Sequence, residues 1–428
     1  MADIRPFRSL HFNENDVSPF LCPPYDVISA AAQHRLYESA PLNIIRLELG
    51  EAHGNDTTSN NRYTRAATTL QEWLASGALV RDDDPAFYLH DQQFSYGDRT
   101  LTRRNLFVRL RLHEWQEGIV RPHEHTLSLP KEDRLRLLRA CRVNFSSILA
   151  LYDDRDQAVR KSLEQARSGS PPLETATLNG EKHSVYRIDD AAAQATIARL
   201  FENKTIYVID GHHRYETALN YLKERKSHKR RWSGEEGENF VLAALVTHDD
   251  PGLVVMPTHR LLAGTISPTE LVRRLREVFA FEELPTNLPW QDIEARLSTS
   301  TTQTVRFAFA NRDRLFMLTF PESSEDLMAK CPSSWRSLDA AVLQEVVFHH
   351  MLDIDQQTAT AEGLLEFEYD GEEALRLVRS GRYAFGFLLS ATPPQRVMEV
   401  ADAGERMPQK STYFYPKLPT GLVMNPLY

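Results

Sequence analysis

The chain of 428 residues has no internal repeat, no low-complexity tract and no apolar run long enough to span a bilayer, so a helical membrane protein is not expected. Cysteine is scarce. Cys22, Cys141 and Cys331 lie far apart and form no CxxC pair, which fits a reducing cytosol with buried or free thiols. An excess of positive charge is also lacking: 50 Lys and Arg stand against 59 Asp and Glu, for a net charge of -9. That argues against sequence-independent binding to a nucleic-acid backbone over a broad surface, while a local basic pocket stays open. The opening Met-Ala-Asp-Ile-Arg-Pro does not read as a signal peptide. The expectation is a soluble cytoplasmic protein with a small-molecule partner, no nucleic acid and no membrane; the sequence leaves its oligomeric state open. Familiar catalytic signatures are missing too. There is no Walker loop, no GxGxxG after a strand, no GxSxG elbow and no kinase HRD/DFG pair.

What is present is core-forming material, with 42% hydrophobic residues and length enough for two or three domains. The pattern reads as a mixed α/β (α+β) protein. Residues 1–250 form an N-terminal region, and residues 251–428 form a C-terminal α/β unit packed on it. Helices are expected over Ala31–Glu38, Asn61–Ala75, Pro130–Cys141, Ala191–Phe201 and Tyr215–Lys223. Strands are expected over Ile44–Leu49, Ala86–His90, Gln93–Tyr96, Thr100–Leu112, Asn144–Tyr152, Thr205–Ile209, Phe240–Thr247 and Val254–Arg260. The charged stretch from Lys223 to Asn239 reads as a solvated surface loop. Beyond Ser267 helices and strands alternate, ending in a β-α-β-α run from Gly363 to Ala403.

The most informative segment is Asp210-Gly211-His212-His213-Arg214, between an apolar strand and a helix. A strand that turns at once into a helix leaves backbone N–H groups at the turn, and the helix dipole favours an anion there. Gly211 would let the backbone approach a ligand closely. His212, His213 and Arg214 would offer donors from the first helical turn, and Arg214 a fork suited to phosphate or carboxylate. Asp210 would cap the helix or hold a metal ion on the phosphates. The plainer alternative, a capped helix with surface histidines, sets positive charge against the dipole at roughly 0.3–1 kcal/mol per group.

Three further motifs carry chemistry. In Arg121-Pro122-His123-Glu124-His125, Glu124 could serve as general base and the histidines could shuttle protons or bind a metal, or the segment could be a plain surface loop. Pro257-Thr258-His259-Arg260 could add a second anion contact through His259 and Arg260, or hold a structural histidine. In Tyr415-Pro416-Lys417-Leu418-Pro419-Thr420-Gly421, Lys417 could cross the site and neutralise phosphate, or the tail could simply pack on the body.

With Pro24-Tyr25-Asp26-Val27-Ile28, these motifs make the chain resemble, nearly end to end, a prokaryotic family of proteins of unknown function. The strand, Asp210–Arg214 turn and helix are also similar to the Gly-x-His/Arg-Arg turn of the ParB-like superfamily, which includes the ParB nucleotide-binding domain, sulfiredoxin and the free-serine kinases. That resemblance implies a ParB-like nucleotide-binding core around Phe107–Leu245, with Gly211, His213 and Arg214 on nucleotide phosphates. It implies a kinase using ATP or ADP with Mg²⁺ on a small hydroxylated metabolite, serine being one example. By the same analogy Glu124 would take the hydroxyl proton, with His123 and Asp210 beside it. His212 stands where sulfiredoxin has its cysteine, so sulfinic-acid reduction is not implied. Two alternatives remain at this stage. One is a nucleotide-sensing binding module. The other is a metal-dependent hydrolase built from Asp210, His212, His213 and His123 or His125.

Overall fold

The computed structural model describes residues 1–124, 128–298 and 304–428, the backbone alone for 128–130. The chain forms two compact units. The first comprises Met1–Pro122, Thr126–Val254 and Pro416–Tyr428, and the second comprises His123–His125 and Val255–Tyr415. Among the described residues no helix is long and apolar enough to cross a membrane.

The first unit is built on a mixed sheet of nine strands. In chain order these are β1 (Ile4–Arg5), β2 (Phe87–Tyr96), β3 (Arg99–Arg111), β4 (Val120–Pro122), β5 (Ile148–Tyr152), β6 (Glu174–Leu178), β7 (Glu181–Ile188), β8 (Ile206–Asp210) and β9 (Phe240–Thr247). They lie in the order β4-β8-β5-β9-β3-β2-β7-β6, with β1 paired to β3. The apolar runs Ile148–Tyr152 and Phe240–Thr247 are buried at every position, as expected of central strands covered on both faces. The Gly97-Asp98 turn closes the long β2–β3 hairpin, with Tyr96 opposite Arg99 and Gly97 at φ 56°.

The helices of this unit are α1 (Ala30–Ser39), α2 (Ile45–Glu48), α3 (Arg62–Ala75), α4 (Ser128–Cys141), α5 (Ala158–Arg167), α6 (Ala191–Phe201) and α7 (His212–His228). A capping box joining Asn61 and Thr64 starts α3. Helix α6 begins at an Asp190 cap and buries Ile197 and Phe201 against the sheet. Where a strand was expected over Ile44–Leu49, the chain makes the short helix α2. Asn43 accepts from the Ile45 amide at 3.0 Å and ties its own amide to the carbonyls of Pro19 and Leu21, which turns the chain before a strand can form. Helix α7 starts earlier and ends later than expected, so Lys223–His228 is helix rather than loop. The expected strand over Val254–Arg260 is split into Val254–Met256 and His259–Leu262, because Pro257 has no N–H to give a ladder.

The second unit has a six-stranded antiparallel sheet: β10 (His259–Leu262), β11 (Ala280–Leu284), β12 (Arg306–Asn311), β13 (Leu315–Thr319), β14 (Leu365–Glu368) and β15 (Phe385–Leu388), in the order β11-β13-β12-β15-β10-β14. The helix Gly371–Arg379 packs on it through Ala374, Leu375 and Val378.

Candidate anion-binding site

Strand β8 reaches the turn through an irregularity. Val208 lies opposite Ala150 and Asp210 opposite Leu149, so Ile209 is an extra residue in the ladder. Such a bulge re-aims the side chain that follows it. Gly211 then takes the left-handed conformation (φ 84°) and forms the N-cap of α7, with no side-chain cap among the described residues. Asp210 therefore does not cap the helix. Its Oδ2 accepts from Arg214 Nη2 at 2.6 Å, and its Oδ1 accepts from Lys417 Nζ. Lys417 meets Asp210 from 207 positions further along the chain.

Burial pushes the Asp210 carboxyl up, but Lys417 and Arg214 outweigh it and hold the group well below the usual carboxylate range. Arg214 is only 11% exposed. Burial opposes its charge, and Asp210, Asp26, Tyr25 and Glu48 more than restore it. The guanidinium also donates from Nη1 to the Ser147 carbonyl, whereas its buried Nε has no partner among the described residues. It lies so close over Gly211 that a Cβ there would stand 3.0 Å from Nε. His212 is buried and His213 half-buried at the first turn of α7.

Around Arg214 the structure gathers residues that sequence reasoning passed over. Arg134 of α4 holds Glu48 (3.2 Å to Oε1) and Asp133 (2.8 Å from Nε), and its guanidinium stacks 4.1 Å from the centre of the Tyr25 ring. Burial lifts the Tyr25 hydroxyl to about 12. Ser146 donates to the same Glu48 oxygen at 2.9 Å. The only advance signals were the proline-stiffened loop around Tyr25 and the arginines of α4. The tail closes this assembly: Thr420 and Cys22 exchange backbone hydrogen bonds of 2.8 and 3.3 Å, which lays the Lys417 segment against the loop that carries Tyr25 and Asp26.

The other sequence candidates belong to the second unit. The His123 carbonyl accepts from the Met407 amide (2.7 Å), and its Nε2 meets the Thr412 hydroxyl at 3.1 Å. Glu124 accepts from the Lys410 amide at 2.7 Å, and Arg260 donates to the Lys410 carbonyl at 3.0 Å. These two side chains thus grip Lys410, a non-glycine residue held at φ 60°. His259 is fully buried, its Nδ1 accepts from the Leu389 amide, and its ring meets Trp290 edge-on. Burial and Arg260 drive its pKa down to about 3, so it is neutral and offers no charge to an anion. His125 lies outside the described residues.

A cavity of about 670 Å³ belongs to the second unit and is lined in part by Asp339, Ser390, Thr392 and Arg396. A cavity touching Arg214 and Arg134 is only about 40 Å³. It has no room for a nucleotide, so a ligand of that size would have to meet the turn from outside it. Among the described residues no three His, Cys, Asp or Glu side chains are grouped to hold a metal ion.

Fold and site together define a mixed α/β protein with a strand–turn–helix, glycine at its N-cap, that presents clustered cations. The chain belongs to the family described as Protein of unknown function (DUF1015), whose model matches residues 4–341. No curated protein matches it in sequence. Among solved structures it is similar to a free serine kinase in complex with AMP, at 15% identity and a TM-score of 0.36, over 74% of this chain and 92% of that one. It is similar also to a conserved hypothetical protein from Pyrococcus furiosus, at 14% identity and a TM-score of 0.34, over 74% of this chain and 95% of that one. A third is SbnI from Staphylococcus aureus, at 12% identity and a TM-score of 0.34, over 72% of this chain and 84% of that one.

Proposed function

We propose that the first unit binds the phosphates of a nucleotide at the Gly211–Arg214 turn, and that the protein passes a phosphoryl group from ATP or ADP to the hydroxyl of a small, serine-like metabolite. The observation that carries this reading is Arg214: largely withdrawn from water, with an Nε that has no partner among the described residues, at the glycine-capped start of a 17-residue helix and with Lys417 converging on the same carboxylate. A phosphate oxygen arriving there gains the helix dipole, a charge-assisted bond from Arg214 and the Lys417 ammonium.

In the reaction the substrate hydroxyl attacks the terminal phosphorus, the bond from that phosphorus to the bridging oxygen breaks, the nucleotide leaves one phosphate shorter, and the hydroxyl proton passes to a carboxylate. Such transfer needs positioning and charge neutralisation more than covalent help. Asp26 is our candidate base, because it shares the first unit and the electrostatic surroundings of Arg214. Glu124, the candidate from sequence, is engaged by the Lys410 amide in the second unit and stands as the rival base. A divalent cation bound with the phosphates would neutralise their charge. Both oxygens of Asp210 are occupied by cationic side chains, so no metal is assigned to it.

The test is a thermal-shift screen with ATP, ADP, CTP, GTP and pyrophosphate, each with and without Mg²⁺. A ligand at about a hundred times its Kd should add roughly 2.7 kcal/mol, and Arg214→Ala should abolish the shift while the fold survives. Phosphorus NMR with serine and related hydroxyl compounds then reads transfer as a new phosphomonoester signal. Asp26→Asn should stop transfer with binding intact, whereas Glu124→Gln should not. No shift with any nucleotide or with pyrophosphate overturns the reading; binding without transfer leaves a sensing module.

A further inference from the structure

The segment that brings Lys417 to Asp210 is held from beneath by a buried polar chain on one face of the central sheet. Gln92 of β2 and Arg103 of β3 are cross-strand partners, and both are fully buried. Arg103 Nη2 donates to Gln92 Oε1 at 2.6 Å and to the Pro416 carbonyl at 2.7 Å. Gln92 Nε2 donates to Glu181 Oε2 at 2.7 Å and to the Lys417 carbonyl at 3.2 Å. The two side chains thus grip two successive carbonyls, the second belonging to the lysine itself. Burial pushes the Arg103 guanidinium down to about 10, and the carboxylates of Asp250, Glu181 and Asp210 make good only part of that loss. On the same face His90 and His183 stack, 3.1 Å apart between ring nitrogens.

A sheet face closed by a tail is ordinarily apolar, and replacing buried charge by hydrophobic side chains is often neutral or stabilising. Here an arginine and a glutamine stand where packing alone would accept leucine. Their hydrogen bonds go to carbonyls, which side-chain identity in the tail does not alter, and they fix where the backbone at Lys417 lies. Lysine carries four rotatable bonds, so an ammonium on an unanchored loop would sample many positions. We propose that Arg103 and Gln92 are positioning residues that fix the backbone of Pro416 and Lys417, and thereby set the Lys417 ammonium at the Asp210 turn. The consequence for ligand binding rests on the phosphate reading above; the placement of Lys417 does not.

The experiment is competitive acetylation of the full-length native protein, with mass spectrometry of each lysine. Lys131, paired with Glu216 at 2.9 Å, and Lys204, 3.3 Å from Asp154, are references in the same unit. In Arg103→Gln, acetylation at Lys417 should rise about tenfold, the factor that one lost charge-assisted hydrogen bond gives, while both references stay within about twofold of wild type. Gln92→Met, which keeps volume and leaves the Arg103–Pro416 bond, should give a smaller rise at Lys417 alone, and it carries the test if Arg103→Gln does not fold. Arg103→Lys, charged but shorter in reach than the guanidinium, should fall between the wild type and Arg103→Gln. An equal rise at all three lysines marks a merely structural role and overturns the proposal, as does an unchanged Lys417 in the variants. Pyrophosphate titration of the same proteins forms a second arm, with binding about tenfold weaker in Arg103→Gln. Wild-type protein that ignores pyrophosphate while the labelling contrast holds would remove the phosphate reading and leave the positioning role standing.

Discussion

Replacing Lys417 by methionine removes one of the two cations on Asp210 while keeping the length and apolar stem of the side chain. The two groups are 16% and 15% exposed, so the pair is largely withdrawn from water without being sealed from it. Breaking a fully buried pair by deleting one member costs about 3–5 kcal/mol, and losing one hydrogen bond to a charged group about 1.5–3 kcal/mol. Arg214 remains on the other oxygen at 2.6 Å, which places the expected cost near the lower range, about 2 kcal/mol. For a unit of this size that is a fall in Tm of about 4–8 °C. The assay is urea unfolding, with Lys417→Met, Asp210→Asn and the double variant completing a cycle. The two units can unfold in separate steps. Trp115, stacked on Tyr215 of α7 with ring centres 4.3 Å apart, supplies a reporter next to the turn, assigned by Trp115→Phe. The pH dependence has a definite sign. The Asp210 carboxyl is held low in the folded state, so its contribution is complete above the ordinary carboxylate pKa of about 4 and is lost as pH falls through the depressed folded value. The gap between wild type and Lys417→Met should stay level above about pH 5 and close in stronger acid. A cost below about 0.5 kcal/mol, or an additive cycle, would refute the reasoning.

Gly211→Ala should destabilise the first unit by about 1–2 kcal/mol, since the residue sits at φ 84°, and should weaken pyrophosphate binding by pushing the Arg214 guanidinium away from the turn. Unchanged Tm and binding in that variant would mean that the close approach of Arg214 to the backbone does not matter. His259 titrates near 3 when folded and near 6.5 when unfolded, so below pH 6.5 the unfolded chain takes up a proton that the folded one refuses. The second unit should therefore lose about 1.4 kcal/mol per pH unit between 6.5 and 3 from this residue. His259→Asn, whose amide oxygen can still accept from the Leu389 amide, should flatten that acid slope in denaturation curves taken at each pH. An unflattened slope would assign the acid sensitivity elsewhere.

The parts of this molecule legible in its sequence are those whose signal is local. Ala191–Phe201 and Phe240–Thr247 were readable to the residue, because a capping Asp190 and an unbroken apolar run depend on nothing distant. The Asp210 turn was readable because a glycine and three basic side chains follow a buried strand at once. Ile44–Leu49 misled, since alternation looks the same whether a strand continues or Asn43 has already bent the chain. The surroundings of Arg214 were beyond reach: Glu48, Arg134 and Ser146 meet only when three separate segments pack together, and no spacing records that. His123 and Glu124 resembled a catalytic motif in sequence, yet their polar atoms go to Met407, Lys410 and Thr412, partners nearly three hundred residues away.

The tail from Pro416 returns to the first unit only after the whole of Val255–Tyr415 has been made. On the ribosome, the Asp210 turn is therefore complete in sequence long before its second cation exists. At ordinary elongation rates of about 5–20 residues per second, the interval between Asp210 and Lys417 is on the order of ten to forty seconds. Through that interval the turn has Arg214 but not Lys417, and the Thr420–Cys22 pairing that closes the loop around Tyr25 is not yet made. Synthesis thus leaves Asp210 with one of its two cationic partners until the chain is nearly finished, and a message cut short anywhere in the inserted unit yields a polypeptide with the recognisable turn but without Lys417.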